Sequence, residues 1–165
     1  MFNIIIKPRQ SGKTEELINR YIDSALHNNI SYIIVMHEDI RRYIYCRIRD
    51  KIKFKDLFER EIIKNYKLTE IDKIFNNLKD HIVTISSIHF NVLRGCNYTN
   101  IFIDEQIPSP SELLELLHVA KNVYLYTSIY LTKKEISKKY DIPEYLIHRS
   151  GIKPTSKLTK VNKNV

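Results

Sequence analysis

Short apolar runs of strand length alternate along this chain with longer segments whose apolar residues recur at helical spacing, and that alternation limits the possible folds more than any other feature. "NIIIK" (Asn3 to Lys7), "SYIIVM" (Ser31 to Met36), "IVTISSI" (Ile82 to Ile88), "NIFIDE" (Asn100 to Glu105) and "NVYLYTSI" (Asn122 to Ile129) are rich in Ile, Val and Tyr. They read as five buried strands. Between them Thr14 to Asn28, Glu38 to Asp50, Phe54 to Lys64, Thr69 to Lys79 and Ser111 to Ala120 read as helices. Ser109 or Ser111 is placed to cap the last one, after breaks at Pro108 and Pro110. Strands alternating with helices imply an α/β three-layer sandwich, with a mainly parallel five-stranded sheet, right-handed crossovers and helices on both faces. With 165 residues, 43% of them hydrophobic, the chain has the material for one compact domain with its own core. No repeat or low-complexity segment interrupts it.

The net charge of +8 suggests a nucleic-acid partner until it is located. Five of the 27 basic residues (Arg149, Lys153, Lys157, Lys160 and Lys163) fall after position 148, where no acidic residue occurs. The remaining 22 face 19 acidic residues, a net charge of only +3 over residues 1–148. The domain is therefore read as 1–148, followed by a basic tail at 149–165 that is more simply a solvated end than a binding element. No apolar run approaches the roughly 20 residues that cross a bilayer, and the start of the chain lacks the features of a secretory signal. The expectation is a cytoplasmic protein with no membrane partner. Cys46 and Cys96 belong to no Cys-x-x-Cys or Cys/His cluster, so neither a structural zinc nor a disulfide framework is implied.

"KPRQSGKT" lies where the first strand passes into the first helix. In a doubly wound sheet such a loop offers free backbone N–H groups at the positive end of a helix dipole. A phosphate cradle there needs a glycine where the backbone approaches phosphate, a lysine reaching the terminal phosphates, and a hydroxyl for magnesium. Gly12, Lys13 and Thr14 supply these, with Arg9, Gln10 and Ser11 completing the loop. The usual first glycine of the eight-residue pattern is here Lys7. "NIFIDEQ" brings the acidic partner that such a loop requires from a neighbouring strand: Asp104 for magnesium, and Glu105 to orient and deprotonate an attacking water or hydroxyl.

Together these residues resemble the additional-strand, catalytic-glutamate division of P-loop NTPases, and within it the ATPase domain of viral large terminases and helicases. "PRQSGKT" is similar to the loop of those motors, which often lacks the first glycine. "LRGCNYTNIFIDEQ" is similar to their segment leading into the acidic strand, through Arg94, Gly95, Asp104 and Glu105. "YLYTSIY" lies where they carry a Ser/Thr coupling segment, matching Thr127 and Ser128. The likeness covers roughly residues 3 to 130. It implies a RecA-like core binding ATP and Mg2+, with Lys13 and Thr14 on the phosphates and magnesium, Asp104 on the magnesium, and Glu105 activating water. Arg9 would stabilise charge developing on the transferred group, and Thr127 or Ser128 would sense the terminal phosphate. It further implies work on DNA, in viral or mobile-element packaging or remodelling and so in an infected host cell.

Departures accompany the likeness. Helicases carry a second motor domain and large terminases a nuclease, whereas only about 35 residues follow Ile129 here, without an acidic cluster. Productive hydrolysis would then call for a homo-oligomer or a partner protein. A rival likeness is to type II thymidine kinases, since "SGKTEELI" and "IDEQ" resemble their loop and acidic strand, although their zinc lobe and glycine-rich loop have no counterpart. A third alternative keeps the nucleotide as a bound ligand of an interaction module with little turnover.

Other residues carry plainer readings. The six histidines show no paired spacing, and Tyr124 and Tyr126 alternate as packing residues of a strand. Arg41, Arg42, Arg47, Arg49 and Lys51 follow the second strand, where helicase-like folds contact nucleic acid. Interspersed with Glu38, Asp39 and Asp50, they equally form a solvated helix face.

Overall fold

The computed structural model describes residues 1–27, 29–53, 75–76, 78–85 and 97–151. Six strands run along the chain: β1 (Phe2–Ile6), β2 (Ser31–Val35), β3 (Ile82–Thr84), β4 (Tyr98–Asp104), β5 (Ala120–Thr127) and β6 (Ile147–Gly151). The described helices of eight or more residues are α1 (Lys13–Leu26), α2 (Glu38–Lys53), α3 (Pro110–Val119) and α4 (Lys133–Tyr140). All strand pairs are parallel, in the order β3-β2-β4-β5-β1-β6.

Period-two alternation sorts the strand residues onto two cores. Phe2, Ile4, Ile101, Ile103, Val123 and Leu125 pack with Leu113 and Leu116 of α3 and Ile136 and Tyr140 of α4. Ile5, Ile33, Phe102 and Tyr126 face the other way, onto Leu17, Ile18 and Ile22 of α1 and Ile44 and Ile48 of α2. Burial of both faces explains why the central strands read as continuous apolar runs. Tyr124 and Tyr126 take packing positions, Tyr124 stacking on Phe102 at 5.1 Å and Tyr126 fully buried. Ser109 is the cap of α3 and forms a capping box with Glu112, with Pro110 in the first turn.

Two expectations change. The sheet has six strands and is wholly parallel, where five mainly parallel strands were expected. The sixth escapes a reading of periodicity because "IHRSG" buries only Ile147. It forms because it completes the open edge of β1, with Ile147 opposite Phe2 and Gly151 opposite Ile6. Arg149, Ser150 and Gly151, assigned to the tail, therefore lie in the sheet. The helix expected at 54–64, most of the one at 69–79, the end of the strand expected at 82–88, Arg94, Gly95, Cys96 and residues 152–165 lie outside the described residues. At 75 and 78–79 the chain forms turns, and Phe75 and Leu78 are buried beneath α1 and α2.

Candidate functional site

At the C-terminal end of β1 the chain does not turn at Lys7, where a glycine was missing. The Lys7 N–H donates to Thr127 O at 3.1 Å, which prolongs the pairing with β5, and its ammonium pairs with Glu16. The turn comes later, at Gln10 (φ 58°) and Gly12 (φ 76°), both left-handed. Ser11 Oγ donates to Pro8 O at 2.6 Å and closes the loop. No side chain caps α1, so its first-turn N–H groups face the cleft at the positive end of the helix dipole. Lys13 folds back into the loop, its Nζ donating to Pro8 O at 2.9 Å and Lys7 O at 3.4 Å.

The acidic residues come from the end of β4. Asp104 is 4% exposed and lies beneath α1, where Thr14 Oγ1 reaches both carboxylate oxygens, at 3.3 and 3.2 Å. Burial pushes the Asp104 carboxyl above its ordinary range, and the Thr14 hydrogen bond opposes that shift. Glu105 steps out of the strand with φ 61°, its N–H donating to Tyr126 O at 2.7 Å and the Gln106 N–H to Asp104 O at 2.8 Å. This tight positive-φ turn is uncommon for a residue with a side chain. It aims the carboxylate at the loop, with Oε1 2.7 Å from Lys13 Nζ. Oε2 accepts from the backbone N–H and the Oγ of Ser128, both at 3.1 Å. Burial alone would raise the Glu105 pKa, but Lys13 and Ser128 hold it below the ordinary carboxylate value.

Arg9, Gln10, Ser11, Gly12, Lys13, Thr14 and Glu105 thus line one cleft of about 580 Å3, with Asp104 beneath Thr14. One strand, β5, lies between β1, which leads into the loop, and β4, which ends in the acidic pair. Ser128 enters the site through Glu105. Thr127 does not reach the carboxylate; it is fully buried and its Oγ1 accepts the Ile129 N–H at 3.1 Å. Met36, Tyr43 and Ile129, which the sequence reading missed, form an exposed apolar rim to the cleft. No periodic signal marks them, because three separate elements bring them together. The cations of α2 divide. Arg47 and Lys51 clasp Glu15 of α1, while Arg41 is spent on Glu38 and the carbonyls of Lys79 and Ile82.

No protein-family model, curated protein or solved structure matches the chain. What the site can do must therefore be read from its own groups. An uncapped helix N-terminus, a loop cation and Lys13 offer hydrogen bonds and positive charge to a phosphate chain. A buried carboxylate already holding a hydroxyl fits a small divalent cation that takes one or two protein ligands and fills its shell with phosphate oxygens and water. Among the described residues no group of three or more His, Cys, Asp or Glu could cage a metal unaided. Glu105, ionised and beside Lys13, is a proton acceptor. Among the described residues no helix is long and apolar enough to cross a membrane.

Proposed function

We propose that the protein is a magnesium-dependent ATP hydrolase of the P-loop type, resembling a minimal ATPase domain of viral large terminases and helicases. The observation that carries this reading is the meeting of Lys13 and Glu105 at 2.7 Å beside the Thr14–Asp104 pair, at the mouth of an uncapped helix. The sheet order supports it, since β5 lies between the loop strand and the acidic strand, where the additional-strand division carries its extra strand. In this reading the first turn of α1 binds the phosphate chain, and Lys13 leaves Glu105 for the terminal phosphate. Arg9, at the cleft mouth, stabilises charge on the transferred group, and Glu105 takes the proton of the attacking water. Thr14 and Asp104 would hold Mg2+, which supplies charge neutralisation at the phosphate oxygens. DNA is the proposed substrate of the work done, with a second copy or a partner protein completing the site.

One observation favours a second reading. Met36 and Tyr43 lie after β2, beyond Glu105 in the sheet order, so the cleft continues past the carboxylate along an apolar wall. A wall of that kind suits an organic phosphoryl acceptor, as in a nucleoside kinase, better than water. The deciding experiment is release of inorganic phosphate from ATP with magnesium, with and without single- and double-stranded DNA, beside Lys13→Ala and Glu105→Gln. Phosphate release lost in both variants supports the hydrolase. Transfer of phosphate to thymidine in its place supports the kinase, and ATP binding without turnover a nucleotide-binding module. ATP binding unchanged in Lys13→Ala would sink all three.

A further inference from the structure

The backbone of Glu105 is fixed by its own N–H on Tyr126 O of β5 and by the Gln106 N–H on Asp104 O, which closes the turn around it, whereas its side chain, 39% exposed, is held only by what it touches. Two pins hold it. Lys13 pins Oε1, and the N–H and hydroxyl of Ser128 pin Oε2. The first pin is shared, because the Lys13 ammonium has three donors and three acceptors around it: Glu105, Pro8 O and Lys7 O. A phosphate that enters the loop competes for the same donors, so Glu105 loses Lys13 when the cleft fills. The second pin does not compete with phosphate. Ser128 follows directly on β5, whose Tyr126 is in register with Asp104, and the turn carrying it is fixed by the hydroxyl of Thr127 on the Ile129 N–H.

We propose that Ser128 is the positioning residue of Glu105: it keeps Oε2 anchored while ligand binding withdraws Lys13, leaving Oε1 free to accept a proton over the cleft. This rests on the reading above that Glu105 activates the attacking group. Ser128 touches no reacting atom in this scheme and acts only through the carboxylate. Without its hydroxyl, Oε2 keeps a single backbone donor and the carboxylate swings about that bond, so the loss falls on turnover and not on affinity.

The test is steady-state ATP hydrolysis with magnesium by the wild type, Ser128→Ala, Ser128→Thr, Glu105→Gln and the Ser128→Ala/Glu105→Gln double variant. Loss of one charge-assisted hydrogen bond predicts a fall in kcat of roughly tenfold in Ser128→Ala. KM should be unchanged, and Ser128→Thr, which keeps the hydroxyl, should restore the rate. In the Glu105→Gln background Ser128→Ala should cost nothing further, because both changes act on one group. An unchanged kcat in Ser128→Ala overturns the inference alone and leaves the ATPase reading standing. The inference also falls if Ser128→Thr loses as much as Ser128→Ala, or if Ser128→Ala costs as much in the double variant as in the wild type. A wild type without turnover removes the ATPase reading, and this inference with it.

Discussion

Thr14 Oγ1 lies 3.3 Å from one carboxylate oxygen of Asp104 and 3.2 Å from the other, and so ties the start of α1 to the end of β4. Burial disfavours the charged form of Asp104, so at neutral pH its ionisation opposes folding. Asp104→Asn keeps an acceptor for Thr14 and removes that cost. The expected outcome is a melting temperature equal to or above the wild type, with magnesium-dependent turnover reduced on the order of 100-fold. Thermal melts and a magnesium titration of the rate check the two halves separately. A large loss of stability would mean that the carboxylate serves the fold and not the cation.

Glu105 shows a similar conflict between stability and activity. Its φ of 61° suits glycine and strains any other residue. Glu105→Gly and Glu105→Ala lose the same contacts to Lys13 and Ser128, so their difference isolates the backbone. Glu105→Gly should be the more stable by about 1 kcal/mol in denaturant unfolding. Both should be inactive, and Glu105→Gln should bind ATP while turning it over about 100-fold more slowly or worse. Equal stability of the Gly and Ala variants would show that the chain relaxes out of the turn once the side chain is gone.

The two described glycines make contrasting demands. A Cβ on Gly151 (φ 121°) would lie 2.0 Å from Ile6 O, against backbone that cannot retreat without breaking the β1–β6 pairing. A Cβ on Gly12 (φ 76°) would meet nothing within 4 Å. Gly151→Ala should therefore cost roughly 2–4 kcal/mol of unfolding free energy. Gly12→Ala should cost about 1 kcal/mol, from its dihedral alone. Urea melts of the two variants test the ordering, and a reversed order would place β6 away from β1.

Glu15 provides a pH-dependent contribution. Burial would raise its pKa, but Lys51 and Arg47 of α2 together bring it below the ordinary 4.5. A carboxyl depressed in the folded state stabilises the protein above its unfolded pKa, and that stabilisation disappears as pH falls through the lower, folded value. The pair is partly solvated, so the expected gain is below about 1 kcal/mol and should shrink in salt. Melting of wild type and Glu15→Gln should differ at pH 7 and converge once the pH is below the folded value. A gap that persists at low pH would assign the effect to packing.

The loop and the acidic pair were legible because their chemistry is local: Gly12, Lys13 and Thr14 are consecutive, and Asp104 and Glu105 end a strongly apolar run. Helix α4 was not anticipated, because only Ile136 and Tyr140 of its eight residues are buried, too few to declare a period. Ser128 was in view as a phosphate sensor, but its grip on Glu105 depends on which strand lies beside β4.

By itself, then, the sequence determined the strands β1 to β5 and the helices α1 to α3, that the sheet is buried on both faces, and where the Gly12–Thr14 loop and the Asp104–Glu105 pair lie along the chain. Those properties follow from side-chain period and from residues adjacent in the chain. Tertiary structure alone decided that β6 joins the sheet beside β1 and that Glu105 turns towards Lys13. The physical reason is that strand order and the direction of a strand's final residue depend on hydrogen bonds and contacts between residues far apart in sequence. The Lys13–Glu105 pair, 2.7 Å apart although 92 positions separate the two residues in the sequence, is one such contact.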